Sequence, residues 1–117
     1  MRGWIGVDLD GTLAEYSGWV DESHIGEPIP LMVGRVKTWL EEGKDVRIFT
    51  ARIAQAEGNR STKSSGEIAD VIRQWCVKVF GQALTITCQK DFGMIELWDD
   101  RCVQIIPNTG MRADGKA

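Results

Sequence analysis

The chain has 117 residues, 43% of them hydrophobic, and a formal net charge of −3. This length fits one domain, and this apolar content is enough for a hydrophobic core, which excludes a generally disordered chain. The negative charge argues against a protein that coats nucleic acid, and no apolar run reaches the ~20 residues of a membrane helix.

Short apolar runs separated by turn-forming residues divide the first half of the chain. Unbroken apolar runs predict buried strands, and apolar residues three or four positions apart predict an amphipathic helix. The expected elements, in chain order, are a strand at 4–9, an irregular loop at 17–30, a helix between Pro30 and Gly43, a strand at 46–49, and a polar segment at 51–63 that begins as a helical turn and continues as a mobile loop.

The second half opens with a signal for a helix start. Ser64 and Glu67 have the spacing of a capping box, in which each side chain bonds to the backbone N–H of the other residue. Apolar residues then recur on one helical face until Gly81, so we expect a helix over about 65–80. Three strands are expected to follow, and then a flexible tail; the strands are at 83–87, 95–98 and 103–106, and the tail is 108–117.

Strands that alternate with helices indicate βαβ units and a mainly parallel sheet. The predicted fold is a single α/β domain over 1–107, with a doubly wound, Rossmann-like sheet and helices on both faces. In such sheets, ligands bind beyond the carboxyl ends of the strands, near the point where the strand order reverses. The strand ends are therefore where functional residues are expected.

Polar side chains follow four of the predicted strands, and they are Asp8 and Asp10, Thr50, Lys90, and Asp99 and Asp100. Carboxylates crowded into one site raise each other's pKa values, and a hard divalent cation such as Mg²⁺ relieves their repulsion. Lys90 and Thr50 would supply a cation and a hydroxyl donor to phosphate oxygens. Taken singly, each group also fits an ordinary role, such as a solvated turn, a helix cap or a surface lysine.

The segment Asp8-Leu9-Asp10-Gly11-Thr12-Leu13 resembles the first motif of the haloacid-dehalogenase-like phosphohydrolase superfamily, a strand ending in Asp-Xaa-Asp-Gly-Thr. The later motifs of that family are an apolar strand ending in Thr or Ser, a lysine, and a pair of acids. The similar segments here, in the family's order, are Ile48-Phe49-Thr50, Lys90 and Leu97-Trp98-Asp99-Asp100.

The resemblance implies a role for each of these residues. Asp8 would attack phosphorus and form an aspartyl-phosphate, while Asp10 would protonate the leaving oxygen and later activate water. The implied phosphate-binding residues are Leu9, Thr50, Ala51 and Lys90. The implied Mg²⁺ ligands are Asp8, the backbone carbonyl of Asp10, and Asp100, with Asp99 supporting Asp100.

The chain resembles a small family member without a cap domain, because too few residues separate Thr12 from Thr50 to form one. Only a loop at 15–30 would lie beside the site. Trp19 and His24 on this loop, and Arg52, are candidate substrate contacts, although an exposed loop and a surface arginine fit these residues equally well. The expected substrate is a nucleotide-type phosphomonoester, including the phosphorylated end of an oligonucleotide beside a small basic rim of Arg52, Arg60 and Lys63.

Two other functions fit parts of the pattern. A response-regulator receiver has a similar length, acids, a Thr and a Lys, but its phosphate-accepting Asp ends the third strand, where this chain has none. A non-catalytic binding module on the same fold is the other alternative, and the intact pair of Asp8 and Asp10 argues against it.

The cysteines and the N-terminal sequence indicate a compartment. Cys76, Cys88 and Cys102 are an odd number without close pairs, which predicts reduced thiols rather than a disulfide framework or a zinc cluster. The N-terminal segment reaches Asp8 too early for a signal peptide. We expect a cytoplasmic protein with no membrane partner, and the sequence leaves its oligomeric state open.

Overall fold

Four parallel strands and three helices make up the fold of residues 3–117, the part of the chain that the computed structural model describes. In chain order the elements are β1 (Trp4–Asp8), α1 (Pro30–Glu41), β2 (Asp45–Phe49), α2 (Ala51–Glu57), α3 (Ser65–Phe80), β3 (Thr85–Thr87) and β4 (Met94–Trp98). The mixed α/β class and the single parallel sheet are confirmed. Among these residues, no helix has both the length and the apolar character needed to cross a bilayer.

The strand order is β3-β2-β1-β4, so the chain leaves β1 toward one edge of the sheet and returns to pair β4 with the other side of β1. The strand order therefore reverses between β1 and β4. At such a point the connections diverge and leave a crevice beyond the carboxyl ends of the two strands. Asp8 ends β1 at this crevice, and Asp99 follows β4 there.

The hydrophobic core lies on one face of the sheet. Ile5 and Val7 of β1 lie in register with Val46 and Ile48 of β2, so all four side chains point the same way. Buried residues of all three helices join them, namely Met32, Val33, Val36, Ile53, Ala56, Ile68, Ala69, Ile72 and Cys76. The helices thus cover one face, whereas the sequence predicted helices on both.

This layering follows from the direction of the crossovers. The steps from β1 to β2 and from β2 to β3 move the same way along the sheet, and right-handed crossovers then place their helices on the same side. The connection from β3 to β4, residues 88–93, contains no helix. It passes Trp4, whose indole nitrogen donates to Asp91 Oδ1 at 2.9 Å.

The third helix begins and ends as the sequence predicted. Ser64 accepts a hydrogen bond from the backbone N–H of Glu67 at 3.2 Å, and Glu67 Oε1 accepts one from the backbone N–H of Ser64 at 3.1 Å. At the other end Gly81 has φ 78°, a left-handed conformation that favours glycine. The capping box and the glycine stop together fix both ends of α3.

The last part of the chain differs from the prediction. Residues 103–106 were expected to form a fifth strand, but they contribute only an isolated bridge between Ile105 and Arg112. The backbone N–H of Ile106 donates to the carbonyl of Met111, and that of Ala113 donates to the carbonyl of Gln104. These residues therefore turn back on themselves, and the predicted tail is partly hydrogen-bonded structure.

Replacing Ser64 with alanine should lower the free energy of unfolding by about 1 kcal/mol, because the substitution removes the side-chain acceptor at the N-terminus of α3. For a domain of this size that corresponds to a fall in Tm of roughly 4 °C. Thermal denaturation followed by circular dichroism measures it. Ser65→Ala, one residue later and outside the cap, is the matched control. Equal melting of both variants would contradict a stabilising role for the capping box.

Candidate active site at the carboxyl ends of the strands

Three carboxylates meet where the strand order reverses. Asp8, Asp99 and Asp100 each offer an oxygen, and these oxygens all lie within 4.8 Å of one another. The neighbouring positions of β1 and β4 in the sheet bring them together, although more than 90 residues separate them in sequence. The sequence prediction that these acids converge is consistent with this geometry, and together they form a concentrated site of negative charge.

Gly11 and Thr12 allow Asp100 to approach Asp8. Gly11 has φ 90°, and a Cβ at this position would stand 2.5 Å from Asp100 Oδ2, so a larger residue would collide with the carboxylate. The Thr12 hydroxyl lies 3.2 Å from Asp8 Oδ2 and 3.4 Å from Asp100 Oδ1, and it accepts the backbone N–H of Asp100 at 3.1 Å. The Gly-Thr pair therefore serves to hold the end of β4 against the end of β1.

The crowding has an electrostatic consequence for Asp8. Burial is the largest cause, and with the negative charge of Asp99 and a hydrogen bond with Asp100 it raises the pKa of Asp8 from 3.8 to about 7. The hydrogen bond from Thr12 acts in the opposite direction and is outweighed. Ionised Asp8 is thus destabilised unless a positive charge joins the cluster.

Asp10 does not belong to this cluster, because Arg52 holds it. Arg52 Nε and Nη2 donate to the two oxygens of Asp10, both at 2.8 Å. The Arg52 side chain is only 6% exposed and that of Asp10 is 21% exposed. A paired fork of hydrogen bonds of this kind fixes the plane of the carboxylate as well as its position. Arg52, expected as a substrate contact or a surface residue, is therefore a buried partner of Asp10.

Arg52 also fastens the loop at 15–30. Its Nη2 donates to the backbone carbonyl of His24 at 2.7 Å, and its Nη1 donates to that of Glu22 at 3.3 Å. The guanidinium carbon stands 5.0 Å from the centre of the Trp19 ring, at cation–π distance. One buried side chain thus connects Asp10 to three residues of this loop.

Glu22 ties the same loop to the segment before α3. Its Oε1 accepts the backbone N–H of Thr62 and the hydroxyls of Ser61 and Thr62, each at 3.0 Å. These hydrogen bonds favour the ionised form and lower the pKa of Glu22 from 4.5 to about 2. Because the folded-state pKa is lowered, this anchor is intact above about pH 4.5 and is lost as the pH falls toward 2.

A cavity of about 810 Å³ opens over the acids. Thr50, Ala51, Arg52 and Trp19 of the predicted site line it, together with the acids Asp8, Asp10, Asp99 and Asp100. Thr50 caps α2, since its hydroxyl oxygen accepts the backbone N–H of Arg52 at 3.1 Å. The hydroxyl proton is not used in that bond, so Thr50 can both cap the helix and donate a hydrogen bond to a ligand.

Other predicted residues lie outside this lining. Lys90 is exposed, one residue before Asp91, which binds Trp4 at the amino end of β1, so the chain has already turned away from the site. Leu9 is fully buried in the core. His24 lines a smaller neighbouring cavity of about 210 Å³. Arg60 and Lys63 are likewise absent from the lining, so of the predicted basic rim only Arg52 reaches the cavity.

Sequence reasoning missed several residues of the site. Tyr16, Gln55, Cys88 and Arg101 also line the cavity. Arg101 follows the acid pair directly, and its backbone N–H donates to Asp99 Oδ1 at 2.8 Å. Its position beside that pair was visible in the sequence but fits a surface ion pair equally well. Tyr16 carried no sequence signal, because the loop has no periodicity that would assign it a direction.

A solved structure described as a conserved protein from Bacteroides thetaiotaomicron is similar to this chain. Its TM-score is 0.58 at 23% sequence identity, and the match covers 92% of this chain and 84% of that one. A likeness at this identity shows the fold alone. No family model matches the chain. No curated protein matches it either.

Removing the Asp8 charge should stabilise the metal-free protein at high pH. The raised pKa means that the folded state binds this proton more tightly than the unfolded state, so wild-type stability falls as the pH rises from about 4 through about 7. In EDTA at pH 8, Asp8→Asn should therefore have a Tm several degrees above that of the wild type, a difference of about 1 kcal/mol after solvent screening.

Differential scanning calorimetry at pH 5 and pH 8 measures this effect, and the gap should shrink at pH 5. Glu41→Gln, an exposed change at the end of α1, is the control for loss of one negative charge. If Asp8→Asn were no more stable than wild type at pH 8, the result would contradict the raised pKa of Asp8.

Proposed function

We propose that this protein is a Mg²⁺-dependent phosphomonoester hydrolase of the haloacid-dehalogenase-like type, with Asp8 as its nucleophile. The observation that carries the proposal is the arrangement at the reversal of strand order. There the carboxylate of Asp8 faces an acid pair across the crevice, and the carboxylate of Asp10, two residues later, is held separately. In this proposal Asp8 is the acid that attacks, and Asp10 is the acid beside it that moves protons.

The donor set fits Mg²⁺. Oxygen ligands around an octahedral Mg²⁺ stand up to ~4.2 Å apart, so oxygens within 4.8 Å of one another need only small movements to share the ion. Asp8, Asp99 and Asp100 would hold it. The raised pKa of Asp8 supports the same assignment, because a cluster of uncompensated carboxylates gains most from a divalent cation. When bound, the ion would neutralise the cluster and orient a substrate phosphate.

The reaction would take two displacements at phosphorus. In the first, a carboxylate oxygen of Asp8 forms a bond to phosphorus while the bond from phosphorus to the leaving oxygen breaks, and Asp10, in a protonated form with one oxygen released from Arg52, gives that oxygen a proton. In the second, water attacks the aspartyl-phosphate, Asp10 takes a proton from the water, and the bond to Asp8 breaks. The products are inorganic phosphate, the alcohol and the original Asp8 carboxylate.

Residues around the acids would position the phosphoryl group. The Thr50 hydroxyl can donate to a phosphate oxygen while it accepts from the helix backbone, and Ala51 lies beside it on the cavity wall. Arg101 is the cavity-lining cation whose guanidinium is free of the Asp10 pair, and we assign it part of the charge balance that the sequence assigned to Lys90. The role of Lys90 stays a prediction.

The rival receiver function has less support. A receiver accepts phosphate on an Asp at the end of its third strand, but β3 ends at Thr87 and is followed by Cys88. The acid that ends a strand here is Asp8 in β1, and Asp10 follows it.

Chelation should abolish hydrolysis. Because the carboxylate cluster repels an anionic substrate without a cation, para-nitrophenyl phosphate turnover should vanish in EDTA and return with added Mg²⁺. Asp100→Asn should weaken Mg²⁺ binding roughly tenfold or more by calorimetry, since it removes one ligand. The matched control is Asp70→Asn, an exposed change on α3. Undiminished turnover in EDTA would contradict the metal requirement.

Substitutions of the two acids of the first motif should have different effects on phosphoryl transfer. Asp8→Asn should form no phospho-enzyme with any substrate, because the amide cannot attack phosphorus. Asp10→Asn should keep measurable transfer from para-nitrophenyl phosphate but lose ~10²–10⁴-fold with alkyl phosphates, whose leaving oxygens need a proton. Quench-flow trapping of the phospho-enzyme and steady-state rates measure the two effects. Near-normal turnover by Asp8→Asn would refute the mechanism.

A further inference from the structure

Two aromatic side chains face the cavity from the loop at 15–30. Tyr16 is 52% exposed and Trp19 is 50% exposed, yet both line the same cavity as Asp8 and Asp10. Single exposed aromatic residues are common on protein surfaces. Two of them on the wall of a cavity that also holds Asp8 and Asp10 form a more specific arrangement, because they offer ring surface to whatever the acids bind.

The loop that carries these rings is fastened rather than free. Arg52 binds the carbonyls of Glu22 and His24, Glu22 binds Ser61 and Thr62, and the Trp75 indole nitrogen donates to the Gly26 carbonyl at 3.3 Å. These bonds reduce the entropy that the loop would lose when a ligand binds against it. The later part of the loop is therefore held to the domain, and Trp19 is held against Arg52, before any ligand arrives.

Trp19 contacts the same arginine that holds Asp10. The Arg52 guanidinium stands 5.0 Å from the centre of the Trp19 ring and also binds both oxygens of Asp10. The same buried side chain therefore sets the positions of the indole and of the acid proposed to serve the leaving group. A planar group of the substrate that stacks on Trp19 would therefore be part of the leaving group.

The size and polarity of the cavity indicate what kind of leaving group fits it. About 810 Å³ is far more than a phosphoryl group needs and lies within the usual range for sites that bind whole small molecules. Besides the rings, the wall carries the Gln55 amide and the Arg101 guanidinium. Hydroxyls and a heteroaromatic ring edge can form hydrogen bonds with these exposed groups, whereas a purely hydrocarbon aryl group cannot.

We infer that the substrate is a nucleoside monophosphate unit whose base stacks on Trp19 and Tyr16 while its phosphate lies at Asp8. The inference rests on the proposed phosphatase function and specifies its substrate class. Base–aromatic stacking tolerates any base, so the rings select for a base and not for a particular one. A free mononucleotide and the phosphorylated end of an oligonucleotide share this chemistry.

The test compares adenosine 5′-monophosphate with ribose 5-phosphate, which has the same phosphoester and sugar but no base. Wild type should favour the nucleotide in kcat/KM by about tenfold or more. Trp19→Ala should reduce that preference by a similar factor, and Tyr16→Ala, which leaves the Arg52 contacts in place, should also reduce it. Trp19→Phe should retain most of it. Phe92→Ala removes an exposed aromatic outside the cavity and should leave the preference unchanged.

The preference ratio separates stacking from damage to the site. A general disturbance of Arg52 or Asp10 would slow both substrates equally and leave the ratio unchanged. Equal turnover of the two substrates by wild type, or an unchanged ratio in both Trp19→Ala and Tyr16→Ala, would overturn the inference while the phosphatase function stood. A 5′-phosphorylated dinucleotide in the same assay distinguishes a free mononucleotide from an oligonucleotide end as the substrate. If the dinucleotide is turned over as well as the mononucleotide, the site accepts an oligonucleotide end. If the dinucleotide is not turned over, the substrate is the free nucleotide.

A binding measurement keeps the two proposals distinguishable. Calorimetric titration with adenosine 5′-monophosphate and with ribose 5-phosphate uses wild type and Trp19→Ala in Mg²⁺. If no substrate is turned over, the phosphatase function fails, but tighter nucleotide binding that Trp19→Ala weakens about tenfold still supports base recognition. If neither compound binds, or both bind wild type equally, base recognition is overturned as well.

Discussion

The buried guanidinium of Arg52 is the constraint on which the site depends. A charge that is 6% exposed must be paired, and leaving it unpaired costs several kcal/mol. Its donors are satisfied by the carboxylate of Asp10 and by the carbonyls of Glu22 and His24. The chain from 10 to 52 is thereby forced into one arrangement, in which the first motif, the loop at 15–30 and the start of α2 share a single polar centre.

A second constraint is repulsive, whereas the first is attractive. Asp8, Asp99 and Asp100 gather like charges, which the fold brings together only because Gly11 lacks a Cβ and Thr12 bridges the two strand ends. Such a cluster lowers stability in the absence of a cation, and proteins keep costly arrangements of this kind mainly at functional sites. The charge of Asp10 is balanced by Arg52, whereas the charge of Asp8 has no positive partner of this kind among residues 3–117. This difference separates the two acids chemically, although they lie only two residues apart.

The elements with strong local signals could be predicted from the sequence. The capping box and Gly81 fixed the bounds of α3, and the apolar runs located β1, β2 and β4 within a residue or two. The layering could not be predicted, because it depends on strand order, which the pattern of a single strand does not contain. Residues 103–106 have strand-like composition, but no neighbouring strand pairs with them beyond one bridge.

The same distinction holds at the site. The carboxyl ends of parallel strands lie at one edge of the sheet, so acids at strand ends could be expected at that edge. The adjacency of β1 and β4, which brings Asp8 to Asp99 and Asp100, depends on strand order and could not be predicted. The pairing of Arg52 with Asp10 joins the first turn of α2 to the segment after β1, and an arginine looks the same in sequence whether it is exposed or buried. Lys90 was predicted because it follows the third predicted strand. The chain from β3 returns toward Trp4 without a helix, and Lys90 is exposed outside the cavity lining.

Charge balance explains how these parts fit together. The cavity wall contains the carboxylates of Asp8, Asp10, Asp99 and Asp100, and of its two arginines Arg52 is already paired with Asp10. Arg101 alone leaves the wall negative, so in the proposed reaction a phosphate that approached without a cation would be repelled. The proposed function therefore requires a divalent cation to bind first and the anion second. Under that proposal the electrostatic attraction for the phosphate is weak and recognition has to come from elsewhere in the ligand; the exposed rings of Tyr16 and Trp19 offer neutral surface that attracts a planar group without adding charge.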